Sequence, residues 1–422
     1  MSILPILFSA VLLVLSVPIF MVFGLGSAAS AIWIMDLPWS TLIQVSFGSM
    51  TKHVLIAVPL FIFTGMVMLR GGAAGRLVHF ATTLVGHWPG GLGLAMILAM
   101  GFFAAFCGSI LAAITAVGTI MIPKMVEQGY DRPFVIVLAA SAAFLEALIP
   151  PSNAAILFSA LTDVPVSRTF AAGFIPGLVL IVLLGAVVFR RCRHLRNPVR
   201  SSRAERFAAF RAALPGLFTP VIILGGIYAG LLTPSESAAV AGVWAILIGM
   251  LVYRELTFLG IIRALNDTAR ITAVIFAIIA MATFLSVVLT YSRAPQGIIS
   301  FFTEMGGTPL MLWISIAVIC LILGTFIEIV PVFYLTVPIF AALALSLNQN
   351  ILHLYVIFVA FAGIGMITPP VCVGIYTAAG VAGESPEKAF REVPLFVGVG
   401  ILFGILMIAM PGAATWLPSI LN

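Results

Sequence analysis

The stretch FLEALIPPSNAAILFSA, Phe144 to Ala160, is apolar enough to lie in a bilayer, yet it carries an acid, two consecutive prolines and a Ser-Asn pair. A helix cannot run through it. Pro150 and Pro151 bring no backbone N–H and crowd the preceding turn, which leaves the carbonyls of Glu146 and Ala147 without intrahelical partners. In hydrocarbon every backbone polar group has to be paired, so such a break survives only where it is buried in protein or lines a polar cavity. An isolated proline in a span is ordinarily a kink and no more. Here, however, GIGMITPPVCVGIYTAA, Gly363 to Ala379, repeats the break in the other half of the chain. Two Pro-Pro breaks in matched positions point to a site, because carbonyls freed at mid-membrane are ligands for a hard cation.

Around these breaks the chain is membrane protein throughout. Of its 422 residues 62% are hydrophobic and 8% charged, with mean hydropathy +1.24. Apolar runs long enough to span recur from end to end, and no soluble block is left to form a separate catalytic or nucleic-acid-binding domain. The N-terminal run lacks a basic leader and a small-residue cleavage site, so it reads as a retained span. The net charge of +6 reads as topology rather than as an anionic partner. Cys107, Cys192, Cys320 and Cys372 are far apart, without CxxC or metal spacing. The five histidines likewise show no metal-ligand spacing. With no P-loop, HExxH or nucleophile elbow, an ATP-driven pump and an intramembrane enzyme both lack their chemistry.

One polar interruption, RRCRHLRNPVRSSRAERFAAFR, divides the chain: residues 190–212 form a linker between 1–189 and 213–422. The same landmarks then recur in the same order on either side. They are Ser16-Val17-Pro18, Gly108-Ser109, Pro123 and Pro150-Pro151 in the first half, and Leu232-Thr233-Pro234, Gly324-Thr325, Pro338 and Pro369-Pro370 in the second. The spacings agree: 15 residues against 14 from the glycine to the lone proline, and 27 against 31 from there to the double proline. Each half therefore reads as three spans, a re-entrant hairpin whose legs are too short to cross (near 93–126 and 308–345), a broken span (near 133–160 and 351–378) and a closing span. Five crossings per half insert the second copy upside down, giving an all-α inverted repeat of about ten spans and two hairpins. With the linker inside, 17 of the 20 basic residues, Arg70, Arg76 and Arg270 among them, fall on the cytoplasmic side and both termini outside.

Three acids, Glu146, Glu236 and Glu328, lie in or beside apolar runs, where an ionised carboxylate is costly and usually functional. Glu236 in TPSES reads most simply as a helix cap with Thr233. Glu328 either reaches the second hairpin tip or faces an aqueous cleft. Glu146 reads in three ways: cation ligand, proton carrier, or neutral hydrogen-bonded acid. Gly108 and Gly324 alone are weak signals, since a glycine in a span is more often a helix-packing contact than a ligand loop.

GSILAAITAVGTIMIPKMVEQGYDRPF (108–134), ALIPPSNAAILFSAL (147–161), PVIILGGIYAGLLTPSESAAVAGVWAILIGMLVYREL (220–256) and GMITPPVCVGIYTAAGVAG (365–383) together resemble the large, DctM-like membrane subunit of tripartite ATP-independent periplasmic (TRAP) transporters. The resemblance covers essentially the whole chain. It implies an elevator-type secondary transporter of the ion-transporter superfamily, in a bacterial inner membrane, that couples sodium to uptake of small carboxylates. Its implied partners are a separate four-helix small membrane subunit and a periplasmic substrate-binding protein. It further implies one sodium site at Cys107, Ser109, Glu146, Ile149 and Pro151, a second at Gly324, Thr325, Gly365, Thr368 and Pro370, and substrate contacts at Ser152, Asn153 and Thr377. The chain departs from the family pattern at Glu146, usually glycine, and at Cys107, usually a small hydroxyl residue or glycine. A carboxylate at 146 strengthens cation binding or substitutes a proton for a sodium ion. The alternatives are a stand-alone symporter of the same superfamily, a membrane scaffold or sensor descended from a transporter, and a channel; a channel lacks a continuous polar stripe in this sequence.

Overall fold

The computed structural model describes Phe8, Val11, Leu12, Leu15 and residues 17–33, 35, 38–195 and 200–421. Ser16, Arg196 and most of the first N-terminal run lie outside the described residues. Every regular element among those described is helical. In the first half these are α1 (Ile19–Trp33), α2 (Trp39–Met50), α3 (Ala57–Arg70), α4 (Ala73–Val85), α5 (Gly91–Cys107), α6 (Ile110–Glu127), α7 (Arg132–Ala143), α8 (Leu145–Leu148), α9 (Asn153–Thr162) and α10 (Val166–Arg191). In the second they are α11 (Arg203–Tyr228), α12 (Pro234–Leu247), α13 (Phe258–Tyr291), α14 (Ala294–Glu304), α15 (Pro309–Phe326), α16 (Ile329–Ser346), α17 (Ile351–Met366), α18 (Val373–Ala382), α19 (Val393–Ala409) and α20 (Gly412–Ile420).

Local chemistry sets many of the boundaries. Ser202 with Glu205 and Thr233 with Glu236 form capping boxes at the starts of α11 and α12. Glu236 accepts from the Thr233 backbone N–H at 2.8 Å, so its capping reading is the one the structure bears out. Among the described residues eight helices are long and apolar enough to cross a bilayer, or ten when the two bent pairs α7–α9 and α19–α20 each count as one span. The hairpin legs α6, α15 and α16 are among the eight. At 18 residues each they run about 27 Å, longer than the sequence reading allowed.

Two further corrections concern the hairpins. Short amphipathic helices, α4 and α14, precede them and were not foreseen; α4 buries Ala74, Leu77, Val78 and Ala81 while leaving Gly75 and His79 exposed. The second tip falls at Ile327-Glu328, three residues beyond the expected Gly324-Thr325. There α15 continues through Phe326, with Ile327 N–H donating to Leu323 O at 3.0 Å.

The helices pack as two groups. In one, α13 lies along α1, α2 and α3, and α12 packs on α3 and α11. In the other each hairpin packs on the broken span of its own half, α5 on α7 and α8, and α15 on α17. The halves also interlock: α16 packs on α9, and α6 on α18. Phe158 of α9, Phe333 and Phe340 of α16, and Tyr355 and Phe358 of α17 form a connected aromatic cluster across that joint. Between α15 and α17 the contact is backbone on backbone. A Cβ built on Gly365 would lie 2.5 Å from Gly324 C and Cα, and one on Gly324 would lie 2.7 Å from Ala362 O.

At one end of the bundle ion pairs tie the halves together. Arg391 donates to both oxygens of Asp131 at 2.7 Å, Arg132 pairs with Glu384 at 3.4 Å, and Arg191 with Glu392 at 3.2 Å. The Lys388 ammonium and then the Ser385 backbone N–H hold the Glu384 carboxyl below its usual range, and Asp131 holds the Arg391 guanidinium above its own.

Two outcomes follow from this packing. Gly365→Ala and Gly324→Ala each force α15 from α17 and cost about 1–3 kcal/mol, read as a lower midpoint of thermal unfolding in detergent. For the clamp, a carboxyl depressed in the folded state stabilises above its unfolded pKa and loses that contribution as pH falls through the folded value. Hydrogen exchange in residues 383–392 therefore rises on acidification below about pH 4, and Glu384→Gln flattens that dependence.

Candidate functional site

The first break is buried along its whole length, from Ser141 to Ala160. Its Pro150–Pro151 peptide is cis, as is Pro369–Pro370 in the second break. The carbonyl of Ala147, which Pro151 deprives of its helical donor, is not left open as the sequence reading expected. It accepts from Ser152 Oγ at 3.1 Å and from Tyr355 Oη at 2.7 Å. Tyr355 belongs to α17, so the break in one half is closed by a hydroxyl from the other. Sequence reading passed over it, although Tyr355 is the one hydroxyl side chain in the apolar run of α17.

Just beyond the break, Asn153 joins it to the first hairpin. Its Nδ2 donates to Gly108 O at the tip. Gly108 is left-handed at φ +62°, and a Cβ there would lie 2.8 Å from Asn153 Nδ2, so both conformation and space call for glycine. Ser109 caps α6, its Oγ accepting from Ala112 N–H at 3.4 Å. Glu146 is 4% exposed; its Oε1 and the Oδ1 of Asn153 are buried oxygens without a hydrogen-bond partner. The Cys107 side chain lies outside the described residues.

A cavity of about 650 Å³ opens onto these groups. It is walled by the first tip (Gly108 to Ala112, with Thr115), by Glu146, Asn153 and Ala154 at the break, and by Glu328 to Val330 at the second tip. The opposite wall is α3 and α13, with Arg70, Asp267 and Arg270. Of the expected residues the cavity brings together Ser109, Glu146 and Asn153. Ile149, Pro151, Ser152, Gly324, Thr325, Gly365, Thr368, Pro370 and Thr377 stand outside its lining. Arg70 and Arg270, counted from sequence as topology charges, are the site residues that reading missed; their signal was a position at the edge of long apolar runs.

The second break is built differently. Pro370 and Val371 are exposed, and Cys372 is left-handed at φ +33°. The Thr325, Thr368 and Thr377 hydroxyls donate to carbonyls of their own helices, Ile322, Ile364 and Val373, at 2.7, 2.7 and 2.9 Å. Val371 N–H donates to Thr325 O at 3.3 Å, stitching break to hairpin. Among the described residues no group of three or more His, Cys, Asp or Glu side chains could hold a metal ion.

Comparison with known proteins places this geometry in a wider setting. The family model "Tripartite ATP-independent periplasmic transporter, DctM component" matches residues 6–413. The chain is 36% identical over 375 residues to a C4-dicarboxylate TRAP transporter large permease protein of Pseudomonas aeruginosa, covering 88% of each. It is 32% identical to the large permease protein of a sialic acid TRAP transporter of Vibrio cholerae (85% and 86% covered), and equally to that of an ectoine/5-hydroxyectoine transporter of Ruegeria pomeroyi (89% of each). Among solved structures, the Alcanivorax borkumensis YdaH transporter shares the fold, with TM-score 0.60, 14% identity and coverage of 89% and 88%.

The closure at Ala147 makes a stability prediction. Tyr355→Phe and Ser152→Ala each cost about 1 kcal/mol. Together they cost more than their sum, because the second loss leaves a buried carbonyl bare. A double-mutant cycle of unfolding midpoints checks this; strict additivity contradicts the shared-acceptor arrangement.

Proposed function

The chain belongs to the DctM family of large permease subunits of TRAP transporters, membrane transport proteins and not enzymes, and from that premise we propose that it carries a small organic anion inward, coupled to sodium, by an elevator motion. One observation carries the reading: a cavity of about 650 Å³ between the two hairpin tips and the first break, into which buried and unpaired acceptor oxygens are set. Glu146 Oε1, Asn153 Oδ1, the Gly108 carbonyl and the Ser109 hydroxyl are hard donors of the kind sodium requires, with no soft ligand needed. At the second break the Thr325 and Thr368 oxygens keep lone pairs free after donating to their own helices, which supports a second cation there.

In this reading residues 1–189 and 213–422 are inverted repeats joined by a cytoplasmic linker, both hairpins are re-entrant, and both termini are periplasmic. The interlocked hairpins and broken spans form the moving part; α1–α3 and α11–α13 form the scaffold. A separate four-helix small subunit braces that scaffold, and a periplasmic binding protein delivers substrate across the bacterial inner membrane. Ions that bind better when the tips are ordered around substrate supply the coupling, since only differential affinity shifts a conformational equilibrium.

The test is uptake into proteoliposomes holding the chain with its small subunit, with the binding protein added outside. The substrate panel is succinate, sialic acid, ectoine and isethionate, after the compounds named for relatives. Uptake of one of them should require inward sodium and the binding protein; robust uptake by the chain alone overturns the tripartite reading. Glu146→Gly should raise the sodium concentration for half-maximal uptake by about tenfold, the cost of one charged ligand. An unchanged sodium dependence removes Glu146 from the site.

A further inference from the structure

The cavity wall formed by α3 and α13 carries charge that neither the hairpin tips nor the packing uses. Arg70, the last residue of α3, donates to the Asp267 carboxylate on α13, with both side chains about one-third exposed, at 33% and 35%. Its Nε is buried and has no hydrogen-bond partner. One turn further along α13, Arg270 lines the same cavity and makes no ion pair among the described residues. Asp267, the only acid on this wall, is already committed to Arg70. On this wall two guanidinium groups therefore stand against one carboxylate.

A guanidinium with an unsatisfied N–H in a largely apolar cavity is costly unless an anion meets it, and its planar fork suits a carboxylate better than any other small group. Neither carboxylate of the far wall, Glu146 beneath the first tip or Glu328 at the start of α16, forms an ion pair with Arg70 or Arg270. We propose that the guanidinium groups of Arg270 and Arg70 form an anion subsite that takes a carboxylate of the transported molecule. This deepens the small-organic-anion reading above and rests on it. Cation-binding oxygens then stand on the hairpin side of the cavity and anion-binding nitrogens on the α3–α13 side, so substrate and coupling ion do not compete for ligands.

The bland role for Arg270 is an interfacial charge that fixes the orientation of α13, as Arg263 on the same helix is placed to do outside the cavity. Uptake by the complete transporter, with the panel above, separates the two. For the compound that wild type carries, Arg270→Gln should raise KM about tenfold or more. Arg270→Lys should recover part of that loss, and Arg263→Gln should keep the wild-type KM. Membrane insertion and folding are followed in parallel by size-exclusion chromatography. An Arg270→Gln variant that folds and keeps the wild-type KM overturns the subsite while leaving the transport reading intact, and so does an Arg263→Gln variant with the same defect. A wild type that carries none of the panel overturns the transport reading and the subsite with it.

Discussion

A backbone carbonyl left unpaired in hydrocarbon costs several kcal/mol, and the double prolines of this chain create such carbonyls twice. How they are paid for governs the rest of the structure. At the first break the Ala147 carbonyl receives two hydroxyls, one from Ser152 nearby and one from Tyr355 on α17. The break therefore cannot open locally without also disturbing the other half. Asn153 extends the same logic to the hairpin, where its side-chain amide takes the Gly108 carbonyl at the turn. A defect in one helix becomes a joint between three.

The two breaks then diverge for a steric reason. Gly365 faces the backbone of Gly324 so closely that any side chain at 365 would meet main-chain atoms within 2.5 Å. At the corresponding place in the first half, Glu146 points instead toward a cavity, beneath a tip held off by Asn153. On α5, a Cβ at Gly101 would meet side chains of Ile181, Ile149 and Leu145 first, at 3.4–3.8 Å. A carboxylate thus fits where the first hairpin stands back from its broken span, and only a glycine fits where the second hairpin closes upon it.

Much of this was legible in the sequence, because membrane folds announce themselves through constraints that act locally. Pro-Pro pairs cannot be helical and TPSE reads as a helix start; both hold in the structure. What stayed hidden depends on contacts between distant segments. The second tip moved three residues because Gly324 serves helix packing and not the turn. The amphipathic α4 and α14 were absorbed into neighbouring apolar runs, since 13 and 11 residues of mixed polarity leave little signature between spans. Arg70 and Asp267 are 197 residues apart, and no local pattern tells a loop charge from one that folds back over a cavity.

The interlock sets a limit on how the molecule can move. Since α16 packs on α9 and α6 on α18, neither hairpin can travel with its own broken span alone. The aromatic cluster from Phe158 to Phe358 and the ion pairs from Asp131 to Arg391 close the same joint at two further places. Separating these surfaces would expose buried aromatic area worth several kcal/mol. The cavity lies between this assembly and α3 and α13. In the proposed elevator motion, a site divided between a wall that holds cations and a wall that holds the anion would be assembled or dismantled by the slide itself.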